Sequence, residues 1–296
     1  MPAPLLMLAA SFLFATMGVC VKMASALYAP GEIVFYRSLV GATAIAGVVH
    51  LRGGSLRTPV PSMHLWRSAS GVASLCLWFY ALSNLPLATA VTLNYMSSVW
   101  MALFLLGGAV MLGSKRVDGQ LVATVLAGFA GVALVLRPTI EHAQLWHGLM
   151  GLMSGLLAAM AYLQVSALGR AGEPEYRVVF YFSLGGMVVG AATMAWTGPS
   201  GHTLKGALLL LATGALATVA QMMMTRAYTI GRTLSNASLQ YLGIAFSFGY
   251  GVWLFDDPVT VSALAGMLLI VGAGLAATLL RARRAPADST LSPPDT

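Results

Sequence analysis

Polar side chains recur on one helical face in the middle of an otherwise apolar stretch of the chain. Asn94, Ser97 and Ser98 are spaced at i, i+3 and i+4, and Tyr95 lies beside them. If the stretch is helical, this spacing places the three polar groups on one side. Amide and hydroxyl groups on one face either bind a polar solute or join packed helices through hydrogen bonds.

A matching stretch lies roughly 145 residues later in the chain. Asn236 and Gln240 are separated by four positions, and Tyr241 follows them. Because equivalent polar faces occur in both stretches, we favour one shared substrate cavity over two unrelated interhelical contacts.

Other apolar stretches offer further candidates for this cavity. Gln164 and Gln221 are polar side chains within apolar stretches. Trp78 and Tyr80 lie away from the ends of their stretch, so they do not belong to the belt of aromatic residues expected at the membrane interface. Packing against neighbouring helices is the alternative for each residue. Taken as a group, they suit an amphipathic organic solute. The predicted substrate-binding set is Trp78, Tyr80, Asn94, Tyr95, Ser98, Gln164, Gln221, Asn236, Gln240 and Tyr241.

Three charged residues are embedded in the first apolar stretches. Lys22 and Arg37 lie within them and Glu32 lies close by. An unpaired charge at membrane depth costs at least about 2.5 kcal/mol, so each needs water or a partner. Either the basic groups face a cavity and attract a carboxylate or phosphate, or they brace helix ends. We assign Lys22, Glu32 and Arg37 to a charged gate or vestibule; the five-position separation of Glu32 and Arg37 disfavours their pairing on one helix.

Composition defines the class of protein that positions these groups. Hydrophobic residues make up 58% of the 296 residues and charged residues 8%, against about 25% charged in soluble domains. A soluble fold of this size could not bury so much apolar surface. The net charge of +7 comes from basic residues between apolar runs, which indicates membrane orientation rather than nucleic-acid binding.

The apolar sequence divides into stretches long enough to cross a membrane, which takes about 20 residues as a helix. Short breaks rich in Pro, Gly or charge separate them and leave no room for an extramembrane domain. The sequence predicts an all-α membrane protein with ten spans, at about 4–27, 31–50, 64–83, 86–111, 118–137, 147–169, 175–197, 204–228, 233–254 and 259–281.

Basic residues predict the orientation, because cytoplasmic loops retain Lys and Arg. With the N-terminus inside, twelve basic residues, Arg67 among them, lie on the inner side and only Arg137 and Lys205 on the outer side. We therefore expect a protein of the inner membrane with both termini in the cytoplasm.

A repeated segment indicates an internal duplication. Residues 34–41 are VFYRSLVG and residues 179–186 are VFYFSLGG, identical at six of eight positions, with Arg37 replaced by Phe182. An odd number of spans in each half makes the second copy cross in the opposite sense. The expected organisation is two inverted five-helix repeats, 1–142 and 143–284, and a disordered cytoplasmic tail, 285–296.

The sequence has ten predicted spans in two halves, Lys22 near the end of span 1 and Arg37 within the FYRSL of span 2. In these features it resembles the EamA-type branch of the drug/metabolite transporter superfamily. The resemblance covers about residues 5–281 and implies a secondary transporter whose central cavity is lined by spans 1, 3, 4, 6, 8 and 9. The sequence departs from the family pattern in span 4, where Ser97 and Ser98 stand in place of a common proline. A proline hinge is therefore not expected.

These observations predict a transporter that moves a small organic metabolite by alternating access, as a monomer or homodimer. A lipid flippase is the alternative. An intramembrane enzyme is less favoured, because the five histidines lie at span ends and no catalytic motif occurs. Cys20 and Cys76 have no second ligand at metal-site spacing, so neither a metal nor a cofactor is expected.

Overall fold

The computed structural model of the protein describes residues 1–111, 120, 123, 126–128, 130, 131, 134, 145–231, 236, 239–257 and 259–284. Within these residues all regular secondary structure is helical. We label the helices α1 (Ala3–Ala24), α2 (Pro30–Leu51), α3 (Pro61–Asn84), α4 (Leu87–Tyr95), α5 (Ser97–Met111), α6 (Leu145–Arg170), α7 (Glu175–Thr197), α8 (Leu204–Ile230), α9 (Leu242–Phe255) and α10 (Val261–Arg284).

The predicted all-α class is confirmed, and the predicted spans coincide with described helices in most of the chain. Span 7 was expected at 175–197 and α7 has these bounds, whereas span 4 is divided into α4 and α5. Most of span 5, part of the first half of span 9 and the tail at 285–296 lie outside the described residues.

Five of the described helices, α1, α2, α6, α7 and α8, are long and apolar enough to cross a membrane. Helix α3 is as long but carries His64, Arg67, Ser68, Ser70 and Ser74, all of which are buried against other helices. The outer surface instead exposes large apolar side chains, such as Val188, Leu211 and Leu268. Hydrocarbon rather than water is the solvent that such a surface requires.

Helices of the first half pack mainly against helices of the second half. The closest pairs are α1 with α8, α2 with α7, and α3 with α6, followed by α2 with α8, α3 with α7, α1 with α9 and α4 with α6. Each of α1 to α4 can be exchanged with the corresponding helix of α6 to α9, so that α1 replaces α6 and α6 replaces α1, and so on. The same set of helix pairs results. The packing therefore relates the spans that the predicted duplication makes equivalent.

The repeated segment forms the contact between α2 and α7. A Cβ added at Gly41 would meet Ser183 Oγ, and one added at Gly186 would meet Ser38 Oγ. Ser38 and Ser183 are equivalent in the two copies, as are Gly41 and Gly186. Each serine thus packs on the glycine of the other copy, and the small residues let the two backbones approach closely.

Tightened helical turns, which we call the helix breaks, occur at equivalent positions of spans 4 and 9. The backbone keeps helical dihedral angles at Met96 and Tyr241, and hydrogen bonds between residues three apart supplement or replace those between residues four apart. Met96 separates α4 from α5, and Gln240 and Tyr241 form a turn before α9. No proline lies at either break. The break in span 4 rests on Gly155 of α6, where an added Cβ would lie 2.6 Å from the carbonyl oxygen of Leu93.

A buried carboxylate lies near the start of both α2 and α7. Glu32 accepts a hydrogen bond from the Ser200 amide (3.2 Å) and lies 3.6 Å from His202 Nε2, whose ring is 5.2 Å from that of Tyr36. We call these four residues the Glu32 cluster.

Its counterpart is formed by Glu173, His64, Arg177 and Tyr181, which we call the Glu173 cluster. Glu173 lies 3.0 Å from His64 Nε2 and 3.4 Å from Arg177 Nη1, and the His64 ring is 4.6 Å from that of Tyr181. Tyr36 and Tyr181 are equivalent in the repeat, whereas Glu32 corresponds to Arg177. The two clusters therefore share a carboxylate, a histidine and an equivalent tyrosine, but not the position of the carboxylate.

Gly155→Ala should lower the apparent melting temperature of the purified protein, because the rigid backbone of Leu93 and Asn94 leaves no room for a methyl group. Overpacking of this kind costs about 1–3 kcal/mol. Thermal unfolding in detergent, followed by size-exclusion chromatography, measures the change.

Gly47→Ala is the matched control, since Gly47 also lies in a helix but nothing lies within 4 Å of its added Cβ. This variant should be as stable as the wild type or more stable. Equal melting temperatures for the two variants would contradict the proposed close contact at Gly155.

Candidate functional site

A cavity lies between helices of both halves. Its volume available to the centres of water molecules is about 50 Å³, enough for a few waters. Helices α1 to α4 and α6 to α8 all contribute to its wall. The lining residues are Phe14, Arg37, Arg67, Gly71, Ser74, Leu75, Trp78, Asn94, Tyr95, Ala158, Ala161, Tyr162, Phe182 and Gln221.

Two arginines dominate the electrostatics of this cavity. Arg37 of α2 and Arg67 of α3 are only 4% and 2% exposed, and neither forms an ion pair with any described residue. Both guanidinium groups lie over the ring of Phe182, at 5.1 Å and 4.3 Å from its centroid. A cation over an aromatic ring is stabilised by about 0.5–2 kcal/mol, less than the roughly 2.5–3.5 kcal/mol cost of an arginine at membrane depth.

Unpaired hydrogen-bond donors surround the two charges. Arg37 Nε, both Nε and Nη1 of Arg67, Trp78 Nε1 and Gln221 Nε2 are buried without a partner among the described residues. Such groups are rare in folded proteins, and each calls for a specific explanation. Arginine and tryptophan side chains only donate, and all five unpaired side-chain atoms of the described lining are nitrogen donors.

A hydrogen-bonded network fixes one wall of the cavity. Asn94 Nδ2 donates to Ser154 Oγ (3.1 Å), Ser154 Oγ donates to the Gly151 carbonyl, and Ser74 Oγ donates to the Ser154 carbonyl (2.8 Å). These bonds join α3, α4 and α6 just before the helix break at Met96. Asn94 is therefore both a lining residue and a link between helices.

The structure brings four residues of the predicted substrate-binding set together in the cavity wall: Trp78, Asn94, Tyr95 and Gln221. Ser98 and Tyr241 are buried outside the lining and are hydrogen-bonded to each other.

The remaining predicted binding residues also lie outside the lining. Gln240 is buried, with Nε2 donating to Met224 Sδ, and Asn236 donates to the Ala227 carbonyl near the end of α8. Tyr80 faces the ring of His147 at 5.4 Å, and Gln164 is half-buried.

The charged residues predicted for a gate are distributed over three places. Lys22 Nζ donates to the Leu85 carbonyl (3.2 Å) and lies 4.0 Å from Asp257 Oδ1. Glu32 belongs to the cluster with Ser200 and His202. Arg37 lies in the cavity, so Glu32 pairs with neither basic residue.

Arg67, Tyr162 and Phe182 are lining residues that the sequence reasoning did not select. Arg67 was assigned to a cytoplasmic loop, and this assignment is wrong because the residue lies inside α3 and is buried. A signal was present in the sequence, since Arg67, Gly71, Ser74 and Trp78 recur at helical spacing and define one face. The lining also includes α2 and α7, beyond the spans that the resemblance implied.

The described residues contain no group of His, Cys, Asp and Glu side chains arranged to hold a metal ion. Helical breaks, a central cavity and an apolar outer surface define a multi-pass membrane protein of the transporter class. Residues 1–137 match the EamA-like transporter family. The chain belongs to this family, within the drug/metabolite transporter superfamily, and the family consists of transporters rather than enzymes.

Named relatives extend the similarity over most of the chain. The pseudopaline exporter CntI of Pseudomonas aeruginosa is 32% identical over 272 residues, which cover 90% of this chain and 93% of the relative. The S-adenosylmethionine uptake transporter of Rickettsia bellii is 24% identical over 250 residues, 82% of each chain. The riboflavin transporter of Rhizobium johnstonii is 30% identical over 224 residues, 75% of this chain and 71% of the relative.

A solved crystal structure shares the fold. It superposes with a TM-score of 0.74 at 22% identity and covers 96% of this chain and 99% of the other.

The position of Lys22 can be tested by a double-mutant cycle with Asp257. Lys22→Ala and Asp257→Ala should each lower stability, and the double variant should lose less than the sum, with a coupling of about 0.5–1 kcal/mol for a partly exposed pair. Thermal unfolding of the four proteins gives the coupling. The same cycle between Lys22 and Glu32 should give none, and a coupling there as large as that with Asp257 would contradict the observed pairing.

Proposed function

We propose that this protein is a secondary transporter of the inner membrane that moves a small organic metabolite by alternating access around the cavity between α1 to α4 and α6 to α8. The observation that carries the proposal is a cavity with buried, unpaired donors and aromatic rings in its lining, at the meeting point of both halves. Polar groups with no internal partner at this depth are expected where a solute binds.

An inverted-repeat architecture is part of this proposal, with repeats at 1–142 and 143–284. Three observations support it: the interhelical pairs that survive exchange of equivalent helices, the reciprocal contacts of Ser38 with Gly186 and of Gly41 with Ser183, and the similar Glu32 and Glu173 clusters. Reciprocal contacts between equivalent positions are what a pseudo-two-fold axis generates.

The two helix breaks favour alternating access over a static pore. In transporters built from inverted repeats, interrupted helices lie at the substrate site and let one half move against the other. Here the breaks at Met96 and at Gln240 and Tyr241 lie at equivalent positions, and Tyr95 packs on Gly243 beyond the second break.

The size of the cavity implies that the described conformation is closed. A volume of about 50 Å³ is too small for an organic metabolite, whereas ligand sites usually measure about 300–1,000 Å³. Solute binding then requires the helices around the cavity to separate on one side of the membrane. We assign the Glu32 and Glu173 clusters to the two opposite ends of this pathway.

The named relatives support an organic solute. Their names give pseudopaline export, S-adenosylmethionine uptake and riboflavin transport, which are different solutes moved in different directions. We therefore extend to this chain only the common property, a small organic solute.

Transport itself can be tested by solute flux in proteoliposomes with a panel of radiolabelled metabolites. Asn94→Ala should reduce the flux at least about tenfold, because it removes a lining amide and the α4 to α6 hydrogen bond. Gln240→Ala should also impair flux while leaving membrane insertion intact, because Gln240 lies outside the lining but hydrogen-bonds to the lining residue Tyr162.

Lys205→Ala is the control, since this exposed residue lies outside the cavity. Normal flux in both the Asn94 and Gln240 variants would contradict the proposed site. Transbilayer exchange of lipid without flux of any metabolite would instead identify a flippase.

The orientation and the opposite placement of the two clusters can be tested by cysteine labelling. In a background with Cys20 and Cys76 replaced by Ala, Gly201→Cys beside the Glu32 cluster should react with an impermeant maleimide in intact cells. Ser55→Cys should react only after permeabilisation; Ser55 lies beside the Glu173 cluster, where its carbonyl accepts a hydrogen bond from Arg177 (3.0 Å). Labelling of both from the same side would contradict the inverted arrangement.

A further inference from the structure

We infer that Arg37 and Arg67 form a subsite for an anionic group, a carboxylate or a phosphate, on the transported solute. The inference rests on the proposed function, because it assigns part of the transported molecule to this cavity. It narrows the substrate class from a small organic metabolite to an organic anion.

The first argument is charge balance. Three other described basic residues each lie within ion-pair distance of a carboxylate: Lys22 with Asp257, Arg177 with Glu173 and Arg226 with Glu175. Arg37 and Arg67 are the more deeply buried, yet no described carboxylate forms an ion pair with either. Two buried positive charges in a low-dielectric cavity favour a negatively charged occupant.

The second argument is the geometry of the donors. Phe182 contacts both guanidinium groups, which places them next to each other at one wall. Gly71 makes this possible, since a Cβ there would overlap Arg67 Nη1 and lie 3.0 Å from the Phe182 ring. In this conformation Arg37 Nε and both Nε and Nη1 of Arg67 are buried without a described acceptor, so an acceptor reaches them only when the cavity opens.

The third argument is the identity of the neighbouring groups. Trp78 Nε1 and Gln221 Nε2 are also buried donors without a described partner in the same lining. An anion with several acceptor oxygens satisfies guanidinium, indole and amide donors together, whereas a cationic or donor-rich group does not. The aromatic rings of Trp78, Tyr95 and Tyr162 suit an apolar or aromatic body attached to that anion.

Binding can be measured with three probes of similar shape: phenylacetate, phenyl phosphate and the neutral phenylacetamide. Purified protein in detergent is titrated with each probe while its apparent melting temperature is recorded, because a ligand that binds only the folded state raises it. At least one of the two anions should stabilise the wild type, and phenylacetamide should not. Whichever anion acts at the lower concentration identifies carboxylate or phosphate as the preferred group.

Arg37→Gln and Arg67→Gln should each weaken the stabilising effect of the anion by at least about tenfold, since each removes a charge-assisted hydrogen bond. Lys205→Gln is the matched control, which removes an equal charge from an exposed position and should bind as the wild type does. Gly71→Ala keeps both charges but displaces the Arg67 guanidinium, and it should also weaken anion binding. This variant tests the subsite even where an arginine substitution prevents folding.

Equal stabilisation by phenylacetamide and the anions, or no stabilisation by either anion, would overturn the subsite. Unchanged anion binding in both arginine variants would also overturn the subsite and would indicate a structural role for the cation–π contacts. If the arginine variants do not fold, unchanged anion binding in Gly71→Ala has the same meaning.

The anion subsite and the transport function can fail separately. Metabolite flux with no response to anions would remove the subsite alone, and anion binding without flux of any solute would remove the transport proposal alone.

Discussion

The contact between α2 and α7 is the constraint on which the rest of the architecture depends. Each copy of the repeated segment places its serine on the glycine of the other copy, so the two helices approach closely and in one register. This register brings Arg37 against Phe182, two residues that occupy the same position of the repeat. In the proposed inverted repeat, a residue that touches its own equivalent lies on the axis that relates the two halves.

The exchange of arginine for phenylalanine therefore has a local physical meaning. Two arginines at this position would repel each other, and two phenylalanines would leave no charge from this position in the cavity. One of each gives a guanidinium packed on an aromatic face, and Arg67 uses the same ring from α3. The asymmetry lies at the cavity, which is one of the two placements that the sequence left open for Arg37.

Much of the fold was predictable because a membrane makes secondary structure depend on simple rules. Backbone groups in hydrocarbon must be satisfied within a helix, and the length of a helix must match the bilayer, so apolar runs between polar breaks define helices. Span 7 and α7 share the same bounds. The division of span 4 at Met96 was not predicted, since no proline or glycine marks it and the contact with Gly155 of α6 lies 59 positions away in the chain.

The candidate site was only partly predictable, because contacts between distant helices decide which side chains line it. Trp78, Asn94, Tyr95 and Gln221 line the cavity as their positions within apolar helices suggested. Gln240 and Asn236 have the same residue types and similar positions, but neighbouring groups of α8 accept their hydrogen bonds. Whether a polar side chain faces a cavity or another helix depends on which helix is adjacent.

The sequence by itself determined the membrane class, most of the described helix boundaries and membership of a transporter family, because composition and the spacing of apolar runs are properties of the chain alone. It also supplied the repeated segment on which the proposed duplication rests. Only the tertiary structure decided which charges are paired. Lys22 lies within ion-pair distance of Asp257, and Glu32 of His202. Arg37 and Arg67 both contact the Phe182 ring instead, and neither pairs with a described carboxylate. These pairings join residues far apart in the chain, and the packing of helices from both halves brings them together.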